Sequence, residues 1–369
     1  MIKNVLIALL FGLLVTGCGG SSSKGTAQED TPIVDGGDNG PIVENVQNFE
    51  IDLPVSEITL DKIDGVWVSG PHSTFTKIDN EVLVSNSLNG NLIKLNEGYI
   101  EYKREHPEIS PTFTALSSEN YLALDDSTEG IQVYTYHNDV FDLVYASEIP
   151  PSSISHLQAK GNCFFWKSKR DDESTSSIVK TCSNGGEFAD IKFYTTKNLI
   201  NGFLLLNNGT VLVHESLDSE YSFNLLDSAG VSLDKLHYKY DGVISSFDMQ
   251  ELDGSVYLSG SGGLYKITAL ETELKDLGLV MSLSGTTGMN NEFVIAAHNN
   301  NLLYSVDDYI YYITMDGGEV NKVTKAKVNY VTGTLFVDGD TLVIHYVPSF
   351  DGSDSLGIET FSLNKFYEK

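Results

Sequence analysis

From residue 79 onward the chain alternates short polar turns with short apolar runs, and one phrase keeps returning. A turn built from Asn, Asp, Gly or Glu precedes a largely apolar run: Asp79-Asn80-Glu81-Val82-Leu83-Val84-Ser85, Glu119-Asn120-Tyr121-Leu122-Ala123-Leu124-Asp125, Gly161-Asn162-Cys163-Phe164-Phe165-Trp166-Lys167 and Asn208-Gly209-Thr210-Val211-Leu212-Val213-His214. Asp253-Gly254-Ser255-Val256-Tyr257-Leu258-Ser259, Asn290-Asn291-Glu292-Phe293-Val294-Ile295-Ala296 and Asp338-Gly339-Asp340-Thr341-Leu342-Val343-Ile344 bring the copies to seven. The period is about 40 residues, the length of a propeller blade.

The turns are rich in Asn, Asp and Gly because tight hairpins need positive φ, which those residues tolerate. A third strand follows most copies, as in Leu92-Ile93-Lys94-Leu95 and Tyr309-Ile310-Tyr311-Tyr312, and a fourth follows that, as in Phe141-Asp142-Leu143-Val144-Tyr145. Four strands repeated radially predict an all-β fold, a β-propeller of seven four-stranded blades, with six or eight the alternative counts. The alternative architectures are a β-sandwich pair and a β-helix; a sandwich would show similar local turns without the long period. Ala269 to Leu277 conflicts with the pattern, because Leu270, Leu274 and Leu277 stand at helical spacing. The last unit ends after three strands, and an open ring would expose strand edges. The alternation of Phe49, Ile51 and Leu53 makes residues 48–53 the predicted outer strand that closes it.

Ahead of the repeats lie two different segments. Met1-Ile2-Lys3-Asn4 carries one positive charge, and Val5 to Val15 is an apolar run of about eleven residues, too short to span a bilayer. It ends in Val15-Thr16-Gly17-Cys18, which resembles the lipobox of a bacterial lipoprotein. The resemblance implies a signal peptide over 1–17, cleavage before Cys18 and lipidation of that cysteine. Several acyl chains together make such an anchor effectively permanent. Gly19 rather than Asp after the cysteine points to the outer membrane in enteric-type sorting. Residues 18–47 are poor in apolar side chains and predict an acidic flexible linker, leaving 48–369 as the propeller domain.

Acidity dominates the composition, with 51 Asp and Glu against 23 Lys and Arg and a net charge of −28. No basic patch survives that balance, which argues against nucleic acid as a partner. Cys163 and Cys182 are the cysteines other than Cys18. Folding a hairpin about Asp171 to Ser174 sets them opposite each other, with Phe165 opposite Lys180, and predicts a cross-strand disulfide in an exported chain. Closing a loop of about 20 residues stabilises by about 3 kcal/mol in the chain-entropy view.

Candidate chemistry is sparse. His214 and His345 fall at matching places in their blades, where Ser85, Asp125, Lys167 and Ser259 also stand, so the six predict a polar ring at one height: a binding rim, or simply polar residues where strands leave the core. No HExxH, Walker loop or metal-spaced Cys/His cluster occurs, so no metal and no cofactor is expected. The residues that mark sialidase, quinone-dependent, WD40, kelch and YWTD propellers are missing too. The resulting expectation is a membrane-tethered binding or scaffolding module that meets another envelope or extracellular protein. The alternatives are a surface enzyme acting on carbohydrate or a lactone, and a surface adhesin. An enzyme calls for convergent acids and histidines at one channel mouth, a scaffold for an exposed apolar patch or an open strand edge, and an adhesin for protease accessibility on intact cells.

Overall fold

The computed structural model describes residues 42–43, 47–48, 54–67, 73–78, 81–86, 91–105, 113–116, 121–126, 130–137, 140–149, 157–169, 175–218, 220–238, 248–260, 263–269, 271–282, 294–306, 308–316, 319–328, 332–346 and 357–367. The chain divides into two compact units, residues 1–30 and residues 31–369. The second holds seven antiparallel sheets, one per blade: residues 73–105, 113–146, 157–196, 199–238, 248–282 and 294–327 for blades 1 to 6, and 332–362 with 61–67 for blade 7. The first strands of successive blades touch around the ring, and Thr332–Asp338 of blade 7 reaches Ser73–Ile78 of blade 1. The protein is a closed seven-bladed β-propeller.

The core is not one nucleus but seven seams. Val82 and Val84 pack against Val343 and Ile358 of blade 7, while Leu83, pointing the other way, packs with Leu122 and Tyr136 of blade 2. The same division recurs in every blade: Leu212 and Phe223 join Val256 and Leu258, and Tyr257 joins Leu302 and Tyr304. A strand buried on both faces has no polar side to show. That is why the second strands read as continuous apolar runs rather than as alternation.

Every blade also carries a β-bulge between its third and fourth strands. The extra residue on the outer strand is Glu101, Val144, Phe193, Leu233, Val280, Asn321 and Ile63 in blades 1 to 7. Bulges raise local twist and bend the bulged strand, as blades radiating from an axis require. The Asp253-Gly254 hairpin takes φ of 50° and 69°, the left-handed pair of a two-residue turn that the Asp-Gly sequence announces.

Ring closure differs from the expectation. The outer strand of blade 7 is Asp61–Trp67, antiparallel to Gly357–Ser362, and not residues 48–53. Asn48 instead pairs with Leu279 in blade 5, and residues 49–53 lie outside the described residues. The bulge at Ile63 interrupts the two-residue period of the true closing strand, so its sequence carries little strand signal. A latch joins blades 7 and 1. Asp64 accepts the Ile100 N–H at 3.0 Å and the Gly65 N–H at 2.8 Å, and these donors hold its carboxyl below the usual range. Thr360 Oγ1 donates to the Gly98 carbonyl at 2.6 Å. Gly98 has φ of 83°, and a Cβ there would sit 3.0 Å from Thr341 Cγ2.

Two further expectations shift. Asn290 to Ala296 is not a second strand: Val294–His298 is the first strand of blade 6, and Asn301–Val306 is the second. Asn290-Asn291 and Asn299-Asn300 are the same turn signal in front of apolar runs, and only pairing separates them. Leu274 and Leu277 lie on strand Leu274–Ser282, not on a helix. A register shift opposite Lys266 and Thr268 lets both enter the same seam despite their helical spacing. Leu270 lies outside the described residues.

Ahead of the closing strand, the chain runs along the outside of the ring. Ile42–Val43, Gln47–Asn48 and Val55–Ile58 add a fifth, parallel strand to the outer edges of blades 4, 5 and 6 in turn. The end of the acidic N-terminal segment is thus paired with the propeller from residue 42.

Candidate functional site: the outer strand edges

Because this strap covers blades 4 to 6 and the closing strand completes blade 7, the edges of blades 1, 2 and 3 differ from the rest. Among the described residues no fifth strand lies on them. Blade 2 is the most apolar of the three. Its outer strand Val140–Ala146 exposes Val140 at 54%, Leu143 at 53% and Val144 at 44%. The bulge at Val144 puts two neighbouring apolar side chains, Leu143 and Val144, outward together. The strand itself is held firmly, since Phe141 packs on Tyr136 and Tyr134 with ring centroids 5.1 and 6.4 Å apart. An open, apolar, rigid edge is a template for main-chain pairing with another strand.

The seam between blades 2 and 3 is pinned by a hydrogen-bond chain that positions this edge. Trp166 Nε1 donates to Thr181 Oγ1 at 2.9 Å, Thr181 donates to Asp190 at 2.7 Å, and Ser147 Oγ donates to the other Asp190 oxygen at 2.5 Å. Ser147 directly follows the exposed strand. Burial and the Asp190 carboxylate push the Tyr145 hydroxyl well above its ordinary range, so it stays protonated.

The six residues of the predicted ring occupy the second strands at matching positions, one per blade. His214 is buried, its Nε2 2.9 Å from the Tyr238 hydroxyl and its ring stacked 5.0 Å from Phe223. Ser259 is buried and donates to the Asp248 carbonyl at 3.3 Å. His345 is buried, and Lys167 is half-buried opposite Ile178. Ser85 and Asp125 pair with Leu92 and Ile131, and their side chains lie outside the described residues. The equivalent place in blade 6 belongs to Ser305, also buried. Lys167, His214, Ser259 and His345 sit in separate seams, each on the side of its strand that meets the next blade. Cys163 and Cys182 are paired residues joined by a disulfide, with Cα atoms 4.1 Å apart, and Phe165 stands opposite Lys180. Cys18 lies outside the described residues.

Two carboxylates escaped sequence reasoning. Glu215 is fully buried between blades 3 and 4, accepting from the Tyr194 hydroxyl at 2.5 Å, Asn198 Nδ2 at 2.8 Å and Lys235 Nζ at 3.1 Å. Burial, then the Glu215 charge, drives the Tyr194 hydroxyl far upward, which keeps it a donor. Asp248, at the start of the first strand of blade 5, accepts the Ile295 N–H of blade 6 at 3.1 Å and the Met249 N–H at 3.0 Å. Burial nonetheless raises its carboxyl to about 6. Neither had a signal in the sequence, since acids are abundant throughout the chain. Among the described residues no group of three or more His, Cys, Asp or Glu is placed to hold a metal ion, and no helix is long and apolar enough to cross a membrane.

No protein-family model matches the chain, and no curated protein matches it. Solved structures do. The WD40 β-propeller domain of Doa1 superposes with a TM-score of 0.53 at 9% identity, over 82% of this chain and 96% of that one. U3-55K superposes with a TM-score of 0.59 at 9% identity, over 82% of this chain and all of that one. At such identity the likeness carries the architecture and nothing of the chemistry: this chain shares a β-propeller fold with these structures.

Proposed function

We propose that the protein is a lipid-anchored envelope component whose propeller binds another envelope protein, with the outer edge of blade 2 as the docking strand. Val15-Thr16-Gly17-Cys18 supports the anchor, and the closed ring supports a rigid presenting body. The observation that carries the binding role is the exposed apolar edge Val140–Ala146. A partner strand would satisfy its free backbone side and cover Val140, Leu143 and Val144. Burying three half-exposed aliphatic side chains stabilises a complex by about 3 kcal/mol, roughly two orders of magnitude in affinity. The net charge of −28 adds a preference for a partner that is not itself acidic.

The test is a crosslinking pull-down from intact envelopes with the wild type and with Leu143→Lys. Both side chains tolerate solvent at this position, so the fold is retained, and a circular dichroism melt confirms it. The proposal expects a reproducible protein partner whose binding is weakened about 5-fold or more in the variant, the share of one of the three side chains. A partner retained at full strength by Leu143→Lys places docking elsewhere and refutes the edge.

A further inference from the structure

Lys235, Glu215 and Asn198 come from three separate parts of blade 4 and meet on one carboxylate. Lys235 lies on the outer strand Ser232–Tyr238 and Glu215 on the second strand Val211–Leu217. Asn198 stands in the turn that leads into the first strand, Leu199–Leu205. The Asn198 amide nitrogen and Lys235 Nζ both reach Oε2 of Glu215, at 2.8 and 3.1 Å, which sets the two nitrogens less than about 6 Å apart. We propose that Lys235 and Asn198 become joined by an isopeptide bond, with Glu215 as the proton shuttle.

Three observations carry this. The site is dry: Asn198 is 4% exposed, Glu215 0% and the Lys235 side chain 10%. The groups are also held in place. The Asn198 N–H donates to Thr196 Oγ1 at 3.2 Å, the Tyr194 hydroxyl holds the other Glu215 oxygen at 2.5 Å, and Asn224 holds that hydroxyl at 2.9 Å. Finally, Asn198 Oδ1 is buried with no hydrogen-bond partner among the described residues. A half-turn of the amide brings that oxygen to Glu215, where a protonated carboxyl donates to it and polarises Cγ.

The chemistry needs no oxidant and no outside reactant. Proton transfer within the pair, from Lys235 Nζ to Glu215, frees the lone pair on nitrogen and makes the carboxyl a donor. Nζ then adds to Cγ of Asn198. Glu215 carries a proton from Nζ to Nδ2, the Cγ–Nδ2 bond breaks, and a Cγ–Nζ amide replaces it. The displaced ammonia takes the proton left on Glu215 and leaves as ammonium past Lys235, the most exposed of the three. Blade 1 gathers the same residue types at Lys94, Asn96 and Glu101, but Glu101 is 38% exposed, so water solvates its charge and no bond is expected there.

The bond ties the entry of blade 4 to its outer strand, as Cys163–Cys182 ties two strands of blade 3, and unlike that disulfide it survives reductants. It requires the closed seam, so freshly folded protein holds the ion pair described above.

Peptide mapping of the full-length protein tests this. After the folded protein is incubated, denatured and reduced, a Glu-specific protease cuts after Glu187, Glu215, Glu220 and Glu251 and frees residues 188–215 from 221–251. The bond is expected to keep these two peptides joined, about 17 Da below their summed mass, the loss of ammonia. Lys235→Arg is expected to abolish the linked species. Glu215→Gln, in which the first peptide runs to Glu220, cannot shuttle the proton and is expected to lower the linked fraction about 10-fold or more in protein that a circular dichroism melt shows to be folded. Separate wild-type peptides at full mass would overturn the proposal, whether or not either variant folds. So would a linked fraction unchanged by Glu215→Gln.

Discussion

In freshly folded protein, Glu215 offers the most demanding check of the seam description, because it is fully buried and accepts from Tyr194, Asn198 and Lys235. Glu215→Leu removes the acceptor of the Tyr194 hydroxyl and of the Asn198 amide, and it strands Lys235, whose side chain is only 10% exposed. An orphaned buried donor costs about 1–3 kcal/mol, and breaking one side of a buried ion pair costs about 3–5 kcal/mol. The contributions overlap, because Tyr194 keeps its bond from Asn224 at 2.9 Å and Lys235 has a route to solvent. The expected loss is therefore about 4 kcal/mol. Lys235→Met leaves Glu215 with two neutral donors and is expected to cost somewhat less. Glu215→Leu with Lys235→Met removes both charges and is expected to recover about half of the summed single losses, since neither charge is left alone. Urea unfolding of the four proteins at pH 7 supplies the double-mutant cycle. A Glu215→Leu loss below about 1 kcal/mol, or strictly additive singles, would mean that the pair is hydrated and that the seam between blades 3 and 4 is not dry.

Asp248 predicts a pH dependence. Its folded pKa of about 6 lies above the ordinary 3.8, so between those values the folded protein keeps a proton that the unfolded chain has lost. The contribution of this group is fully favourable below about pH 4 and is lost as the pH rises to about 6, by up to about 3 kcal/mol. Asp248→Asn forfeits one of two backbone hydrogen bonds but carries no charge, so its urea midpoint is expected to exceed the wild type above pH 6 and to fall below it at pH 4; a constant offset across pH would refute the assignment. Deleting residues 61–67 is expected to open the ring, expose the edge Gly357–Ser362 and produce aggregates in size-exclusion chromatography. Deleting residues 42–48 is expected to leave a monomer with a slightly lower melting temperature, and equal behaviour of the two deletions would show that closure does not depend on Asp61–Trp67.

The repeat and the hairpins are written in the local chemistry of the chain. Turn residues and doubly buried strands are local facts: Asp253-Gly254 needs positive φ, and Val82-Leu83-Val84 must bury both sides, so a period of blades was legible without coordinates. The Cys163–Cys182 pairing was legible for the same reason, being set by counting from one hairpin. The remaining features depend on contacts between distant parts of the chain. The bulge at Ile63 hid the closing strand, and two identical Asn-Asn pairs in the sequence left the phase of blade 6 open until pairing fixed it. Matching strand positions put Ser259, His214 and His345 at one height, but only packing showed them buried in separate seams. The open edge of blade 2 is the clearest case. Phe141-Asp142-Leu143-Val144-Tyr145 reads like any outer strand, and its exposure depends on where the strap runs, a contact between residues hundreds of positions apart that no local pattern encodes.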